Sequence, residues 1–274
     1  MTSELGPEIE RKYETLKFII QELGEVVVAF SAGVDSSLLA KVSFDLLGNK
    51  ALAVTADSPT MPRRDLLETA ELARAIGIHH QTIMTDEIHN PDYARNDQNR
   101  CYFCKNDLCD QLDLIKEKTH AKWVLFGENM DDLSDYRPGS QAALEHGVKA
   151  PLKEAGLTKA EIRILSKHLG LPNWNKPASA CLASRIPYGQ QVTLEKLTQI
   201  EKAETILWDL GYRGMRVRHH GEIARIEVQP DSMPGILGDA QQITTALQDI
   251  GFRYVTLDLA GYRRGSLNEG LIRL

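Results

Sequence analysis

Apolar residues in the first half of the chain recur at helical and at strand spacings in turn. Short runs rich in valine and alanine have the length of buried parallel strands, and longer amphipathic segments separate them. In chain order we predict a helix over 8–23, a strand over 25–30, a helix over 36–47, a strand over 51–55, a helix over 63–76, a strand over 80–84, a helix over 101–118 and a strand over 123–126. This alternation indicates an α/β fold with a parallel sheet and right-handed crossovers.

The pattern changes after about residue 177. Segment 176–189 is rich in proline and small residues, which indicates a loop or a joint between domains. Beyond it we predict a helix over 193–210, strands over 215–219 and 223–228 joined by a turn at His220-Gly221, a helix over 235–250 and a strand over 254–259. These elements are typical of a small α+β domain. We therefore expect a larger domain over 1–178 and a smaller one over 185–274.

Composition narrows the class of protein. The 274 residues are 42% hydrophobic and carry a net charge of -6, which is ordinary for a soluble globular protein. No apolar run reaches the roughly 18 residues of a membrane span, and the amino terminus lacks the form of a secretion signal. We expect a cytoplasmic protein with reduced cysteines and no membrane partner. The acidic balance disfavours nucleic acid as a partner.

The strongest local motif follows the first predicted strand, where residues 31–37 read SAGVDSS and lead into a helix. Glycine allows a tight turn, and the helix N-terminus offers unpaired N–H groups and partial positive charge, which together suit a phosphate. Ser31, Gly33 and Ser36 are the predicted phosphate ligands, and Asp35 beside a phosphate suggests Mg²⁺. An ordinary β–α turn capped by Asp35 or Ser36 remains the alternative. Neither a Walker-type loop nor G-x-G-x-x-G occurs in the chain.

The loop resembles the S-G-G-x-D-S signature of the ATP pyrophosphatase (PP-loop) family, which adenylates substrates and releases pyrophosphate. Ala32 replaces the second position's glycine, and alanine fits poorly if φ is positive there. Residues 53–58 (AVTADS), which include Ala56, lie where the family holds adenosine. Residues 125–132 (LFGENMDD) resemble its G-T-N-x-D-D motif and supply Gly127 and Asp131. The resemblance implies an adenine nucleotide α-hydrolase-like domain that binds ATP and Mg²⁺.

A more specific resemblance covers nearly the whole chain. The segments DYRPG (135–139), WNKPASACLASR (174–185), PYG (187–189), RVR (216–218) and RYVTLDL (253–259) resemble the LarE-type sulfurtransferases of nickel-pincer nucleotide cofactor synthesis. The resemblance implies adenylation of the carboxylates of pyridinium-3,5-biscarboxylic acid mononucleotide, followed by displacement of AMP by sulfur. It also leads us to expect a homo-oligomer assembled through the smaller domain.

Cys181 is the natural nucleophile in this chemistry, because a thiolate attacks an adenylate readily. A small buried hydrophobe is the alternative for this cysteine. Lys105 and Arg185 complete the predicted catalytic residues. The anionic groups of the substrate are expected to bind Arg185, Arg216, Arg218 and Arg263, which would otherwise be solvated surface charges. Glu201 or Glu204, with Glu227 and Asp258, are candidates for a metal near the sulfur site.

The pair Cys101 and Cys104 encloses Tyr102-Phe103, and such a C-x-x-C binds metal or acts in redox chemistry when reduced. Some LarE-type sequences resemble this one in having three cysteines that hold a [4Fe–4S] cluster, which implies Cys101, Cys104 and Cys181 as its ligands. Others carry only the later cysteine and sacrifice its sulfur. Cys109 is expected to be structural. tRNA thiolation, which uses related chemistry, is the first rival function. An amidotransferase-type synthetase that uses ammonia and a nucleotide-binding regulatory module without turnover are the other two.

Overall fold

The computed structural model describes residues 5–134, 138–177 and 179–263. The chain divides into two compact units: Met1–Glu87 with Asn99–Ser179, and Ile88–Gln98 with Ala180–Leu274. Segment 88–98 belongs to the second unit, although the sequence analysis places it in the larger domain. Residues Asp135-Tyr136-Arg137 of the family-like segment 135–139 lie outside the described residues.

The first unit is built on a four-stranded parallel sheet. Its strands are β1 (Val26–Ala29), β2 (Ala51–Asp57), β3 (His79–Met84) and β4 (Trp123–Leu125), in the spatial order β3-β2-β1-β4. β1 lies in the centre, where Val27 pairs with Leu52 on one side and Val124 on the other. Its valines are completely buried because helices cover the faces of a parallel sheet. The predicted α/β fold is confirmed.

The helices of the first unit are α1 (Pro7–Leu23), α2 (Val34–Leu47), α3 (Arg63–Ile76), α5 (Arg100–Thr119), α6 (Pro138–Glu145), α7 (Pro151–Glu154) and α8 (Lys159–His168); the short α4 (Pro91–Ala94) belongs to the second unit. The core of the first unit forms where α1, α2 and α8 meet the sheet, around Leu16, Leu38, Leu39 and Leu165. α4, α6, α7 and α8 are absent from the sequence prediction. Three of these four are eight residues or shorter, too short for a clear helical period.

The second unit is a mixed three-stranded sheet covered by helices. It contains β5 (Arg216–His220), β6 (Ile223–Glu227), β7 (Tyr254–Leu257), α9 (Leu194–Asp209), α10 (Met233–Gly238) and α11 (Ala240–Asp249). β5 and β6 form the predicted hairpin, which turns at Gly221 with φ +65°, and β7 pairs parallel to β6. The helix predicted over 235–250 is two helices that break at Asp239, whose carboxylate accepts a hydrogen bond from Tyr212 at 2.6 Å.

Short 3₁₀ helices occupy Gly48–Lys50, Glu87–His89, Met130–Ser134, Leu182–Arg185 and Pro230–Ser232. None of the helices in the described part of the chain combines the length and the apolar character that crossing a membrane requires.

Candidate active site

The three motif segments of the first unit follow three adjacent strands. Segment 31–37 leaves β1, residues from Ala56 onward end β2, and Gly127 follows β4. Because the strands are parallel neighbours, their carboxyl ends meet at one edge of the sheet. Ligands of open α/β sheets bind outside this edge. The predicted phosphate, adenosine and acidic segments are therefore brought together.

The phosphate loop, residues 31–37, is held by its own hydroxyl groups. The Ser31 backbone N–H donates to Ser36 Oγ at 3.2 Å, and Ser31 Oγ lies 3.2 Å from the same oxygen. Ser36 Oγ also lies 3.2 Å from the Gly33 carbonyl, to which it donates. α2 has Gly33 as its N-cap, which has no side chain to cap the first N–H groups of the helix. Such a terminus suits an anionic group.

Ala32 adopts a left-handed backbone conformation, which glycine takes more readily than alanine. Its φ is +52°, in the left-handed region, and the residue is completely buried. For a residue with a Cβ this conformation costs about 1–2 kcal/mol. Alanine therefore occupies a position of positive φ in this loop, where we expected it to fit poorly. Asn173 donates to the Ala32 carbonyl at 3.0 Å and to Ser37 Oγ at 2.9 Å.

Lys159 joins the two predicted acidic ligands. Its ammonium group lies 2.5 Å from Asp35 Oδ2, and its backbone N–H donates to Asp131 Oδ2 at 3.0 Å. Lys159 is not among the residues predicted for the site, because the sequence pattern did not predict α8. The signal was present in the capping box, where Thr158 and Glu161 bond each other's backbone N–H groups.

Gly127 brings the end of β4 against the start of α2. A Cβ at this position would lie 2.9 Å from the Ser36 backbone nitrogen and 3.1 Å from Asp35 Cβ. Glycine is therefore required here for close packing rather than for an unusual φ. The acidic segment that follows is held by Asn129, whose side chain accepts from the Asp131 N–H at 3.0 Å.

The end of β2 is shaped by polar contacts that follow Ala56. Arg63 pairs with Asp57 and donates to the Ser58 carbonyl. Ser58 Oγ donates to the buried carboxylate of Glu87. These contacts define the shape of the chain where adenosine is predicted to bind.

The C-x-x-C pair lies at the start of α5. Cys101 is exposed, Cys104 is half-buried, and their spacing places them on one face of the helix. Cys109 is buried, and burial raises the pKa of its thiol to about 11, in keeping with the expected structural role. The Lys105 ammonium lies 4.1 Å from the centre of the Phe126 ring, next to Gly127 in sequence.

In the second unit, Arg185 holds the loop that carries Cys181. Its guanidinium donates to both carboxylate oxygens of Glu204, at 2.9 and 3.0 Å, and to the carbonyls of Ala180 and Cys181 at 2.6 and 3.0 Å. The residue is only 2% exposed. Burial opposes its charge, but Glu204 outweighs this effect and raises the pKa of Arg185. Cys181 itself is half-buried at the start of the 3₁₀ helix Leu182–Arg185.

A second buried ion pair contacts the chain just after Cys181. Arg218 donates to Glu227 at 2.8 Å and to the Ser184 carbonyl at 2.8 Å. Arg225 donates to the other oxygen of Glu227 and lies 3.5 Å from Asp258. Of the carboxylates considered as metal ligands, Glu204 and Glu227 accept from arginines, and Asp258 forms an ion pair with Arg225.

Arg216 and Arg263 are the more accessible of the predicted substrate arginines. The Arg216 guanidinium lies 5.2 Å from the centre of the Tyr262 ring and donates to the Met215 carbonyl at 2.7 Å. Burial, together with the nearby charge of Arg185, lowers the pKa of Arg216. Arg263 is half-buried near the end of the described residues.

No group of three or more His, Cys, Asp and Glu side chains within residues 5–134, 138–177 and 179–263 is arranged to hold a metal ion. None of the four cysteines forms a disulfide.

Known proteins resemble this chain over most of its length. The NAD synthase family matches residues 8–121. An uncharacterized protein of Synechocystis sp. is 45% identical over 267 residues, which cover 97% of this chain and 100% of the relative. Pyridinium-3,5-bisthiocarboxylic acid mononucleotide synthase of Lactiplantibacillus plantarum is 36% identical over 263 residues, 96% of this chain and 95% of the relative. An uncharacterized protein of Methanocaldococcus jannaschii is 28% identical over 239 residues, 87% of this chain and 91% of the relative.

Proposed function

Because the chain belongs to the family of LarE-type ATP-using sulfurtransferases, a branch of the PP-loop enzymes, we propose that it converts the carboxylates of pyridinium-3,5-biscarboxylic acid mononucleotide to thiocarboxylates. The observation that carries the proposal is the meeting of the phosphate loop, the end of β2 and the Gly127 segment at one edge of the parallel sheet. A carboxylate is a poor electrophile, and transfer of AMP from ATP supplies a leaving group.

The first unit performs the adenylation in this proposal. The phosphates of ATP bind the first N–H groups of α2 and the hydroxyl groups of Ser31 and Ser36, and Ala56 contacts adenosine. Asp35 and Asp131 hold Mg²⁺, which is typically bound by one or two carboxylates together with substrate phosphates. The Lys159 ammonium group pairs with Asp35 and its backbone N–H donates to Asp131, so this residue brings a positive charge beside the proposed Mg²⁺ ligands.

The second unit holds the substrate in this proposal. Arg216 and Arg263 bind the phosphate and carboxylate groups of the pyridinium nucleotide through their fork-shaped donors. Arg218 is buried and paired with Glu227. In this proposal it therefore contributes positive charge near the substrate and does not donate hydrogen bonds to it. Arg185 takes part by holding the main chain of Cys181. We also propose that the protein is a homo-oligomer assembled through this unit, which light scattering of the purified chain tests.

We further propose that Cys101, Cys104 and Cys181 hold a [4Fe–4S] cluster that delivers the sulfur. The donor chemistry supports this proposal, since soft thiolates favour iron–sulfur assembly and two of the three lie one helical turn apart. A cluster with three protein ligands leaves one iron open to a sulfide. Anaerobic iron and sulfide analysis tests the proposal, and alanine at any one of the three positions should abolish the cluster.

The competing route makes Cys181 the sulfur donor. Its thiolate would displace AMP from the adenylate to form a thioester, and elimination would then release the thiocarboxylate and leave dehydroalanine. The protein would lose the elements of H₂S, about 34 Da, at Cys181. Mass spectrometry after turnover detects this loss. Finding it, with Cys101 and Cys104 dispensable, would overturn the cluster proposal.

The adenylation proposal is tested by its products. Substrate-dependent turnover should release AMP and pyrophosphate, and Asp35→Ala should suppress both. Asp45→Ala is the matched control, because Asp45 lies at the other end of α2 and pairs with Lys41. Release of ADP and phosphate would rule out the PP-loop reaction, and thiolation of tRNA in preference to the pyridinium nucleotide would support the rival function.

A further inference from the structure

Asn173 is a buried side chain of the first unit with a contact to each end of the phosphate loop. It is 8% exposed, and it follows α8 in a turn that the sequence motifs do not include. Its amide nitrogen donates to the Ala32 carbonyl at 3.0 Å and to Ser37 Oγ at 2.9 Å. One side-chain group therefore joins a residue that precedes α2 to a residue in its first turn.

The chemistry of the partners fixes how this amide is oriented. The Ala32 carbonyl only accepts hydrogen bonds, so the NH₂ group of Asn173 must face it. Asn173 Oδ1 is buried and has no hydrogen-bond partner among the described residues. The side chain therefore contributes through its donor group.

The backbone of the phosphate loop at Ala32 requires the stabilisation that this donor supplies. Ala32 has φ +52°, a conformation that alanine disfavours and glycine adopts freely. Ala32 directly precedes Gly33, the N-cap of α2, whose first N–H groups are the proposed phosphate donors. A residue with a Cβ requires an external contact to stay in this region, and Asn173 supplies it at the carbonyl of Ala32 itself.

We propose that Asn173 is a positioning residue that holds Ala32 in its left-handed conformation, so that ATP meets a preformed phosphate loop. The proposal rests on the ATP-binding role proposed above. It predicts that the importance of Asn173 depends on the residue at position 32. With glycine there, the loop reaches the same conformation without help.

A double-mutant cycle on the full-length protein tests this dependence. We expect Asn173→Ala to weaken ATP binding about tenfold, which corresponds to about 1.4 kcal/mol. In the Ala32→Gly background the same change should weaken binding less than about threefold. Titration calorimetry with Mg-ATP measures both, and steady-state kinetics should show the loss in KM for ATP with kcat nearly unchanged. Asn49→Ala, an exposed asparagine of the same unit, is the matched control.

The unfolding free energies of the same four proteins give a second cycle that does not require ATP. Coupling between positions 32 and 173 in this cycle supports the contact even if the wild type fails to bind ATP, an outcome that would instead refute the ATP-binding role. If Asn173→Ala does not fold, Asn173→Ser, which shortens the side chain, replaces it. The proposal would be overturned if Asn173→Ala weakened ATP binding equally with alanine and with glycine at position 32. It would also be overturned if Asn173→Ala weakened ATP binding in neither background.

Discussion

The phosphate loop of the first unit and the Cys181 loop of the second are held in place by different kinds of contact. The phosphate loop offers main-chain N–H groups, and its shape depends on close backbone packing at Gly127 and on a left-handed Ala32. The Cys181 loop lies on guanidinium groups, and its two most buried arginines are each paired with a buried carboxylate.

This difference determines what each site tolerates. Main-chain donors are not removed when a side chain is truncated, so the phosphate loop is sensitive to added volume and to changes in φ. Buried ion pairs are sensitive to the loss of one partner, because the remaining charge stays desolvated. We therefore expect steric changes to damage the first site and charge changes to damage the second.

The largest effect is expected in the second unit from Arg185→Ala. The change leaves Glu204 buried without its partner, which should cost about 3–5 kcal/mol of unfolding free energy. Denaturant unfolding measures this loss. Arg253→Ala is the control, because Arg253 and Glu222 form an exposed pair in the same unit that should contribute less than about 1 kcal/mol. Similar losses of unfolding free energy in the two variants would contradict the expected large contribution of the buried Arg185–Glu204 pair.

In the first unit, Gly127→Ala should lower the unfolding free energy only because the added methyl group takes up space. The new methyl group meets the backbone of α2, and overpacking of this kind costs about 1–3 kcal/mol. ATP affinity should fall as well, since the start of α2 must move. Gly6→Ala adds the same methyl group where no atom lies within 4 Å and should change neither quantity. An unchanged ATP affinity in Gly127→Ala would contradict the steric account of this site.

Arg216→Ala separates the two sites functionally. Removing one charged donor should raise the KM for the pyridinium nucleotide roughly tenfold, about 1.4 kcal/mol, and leave ATP affinity unchanged. Arg213→Ala is a suitable control, because Arg213 also lies over an aromatic ring, that of Trp208 at 3.7 Å. An equal loss of ATP binding would place Arg216 in the nucleotide site or in folding.

The smallest effect concerns Cys109. With a pKa of about 11, only about 0.1% of this thiol is ionised at pH 8, and burial blocks reagents, so alkylation should reach it last. Because the folded state holds the thiol proton above its ordinary pKa near 9, stability should decline as the pH rises from about 9 toward 11. Peptide mapping after timed alkylation distinguishes the four cysteines. Labelling of Cys109 as fast as exposed Cys101 would contradict its burial.

The central strand β1 was predicted because a strand buried on both faces is a nearly pure apolar run, here VVVA. Helices with a strong amphipathic period were also found, and α3 has the predicted bounds. The prediction was wrong over 235–250, because the pattern of apolar residues continues across the break at Asp239. It missed α8, whose capping box places Lys159 in the site.

The sequence by itself determined the fold of the first unit, the order of its motifs and the family, because these depend on local period and on residue types at set spacings. Only the tertiary structure decided how those residues are used. The sequence predicts Arg185 as a substrate ligand. In the fold its side chain is buried and donates to the carbonyl of Cys181. Lys159 and Asn173 reach the phosphate loop from more than a hundred residues away. Such contacts depend on which surfaces the packed helices bring together, and no local pattern encodes that.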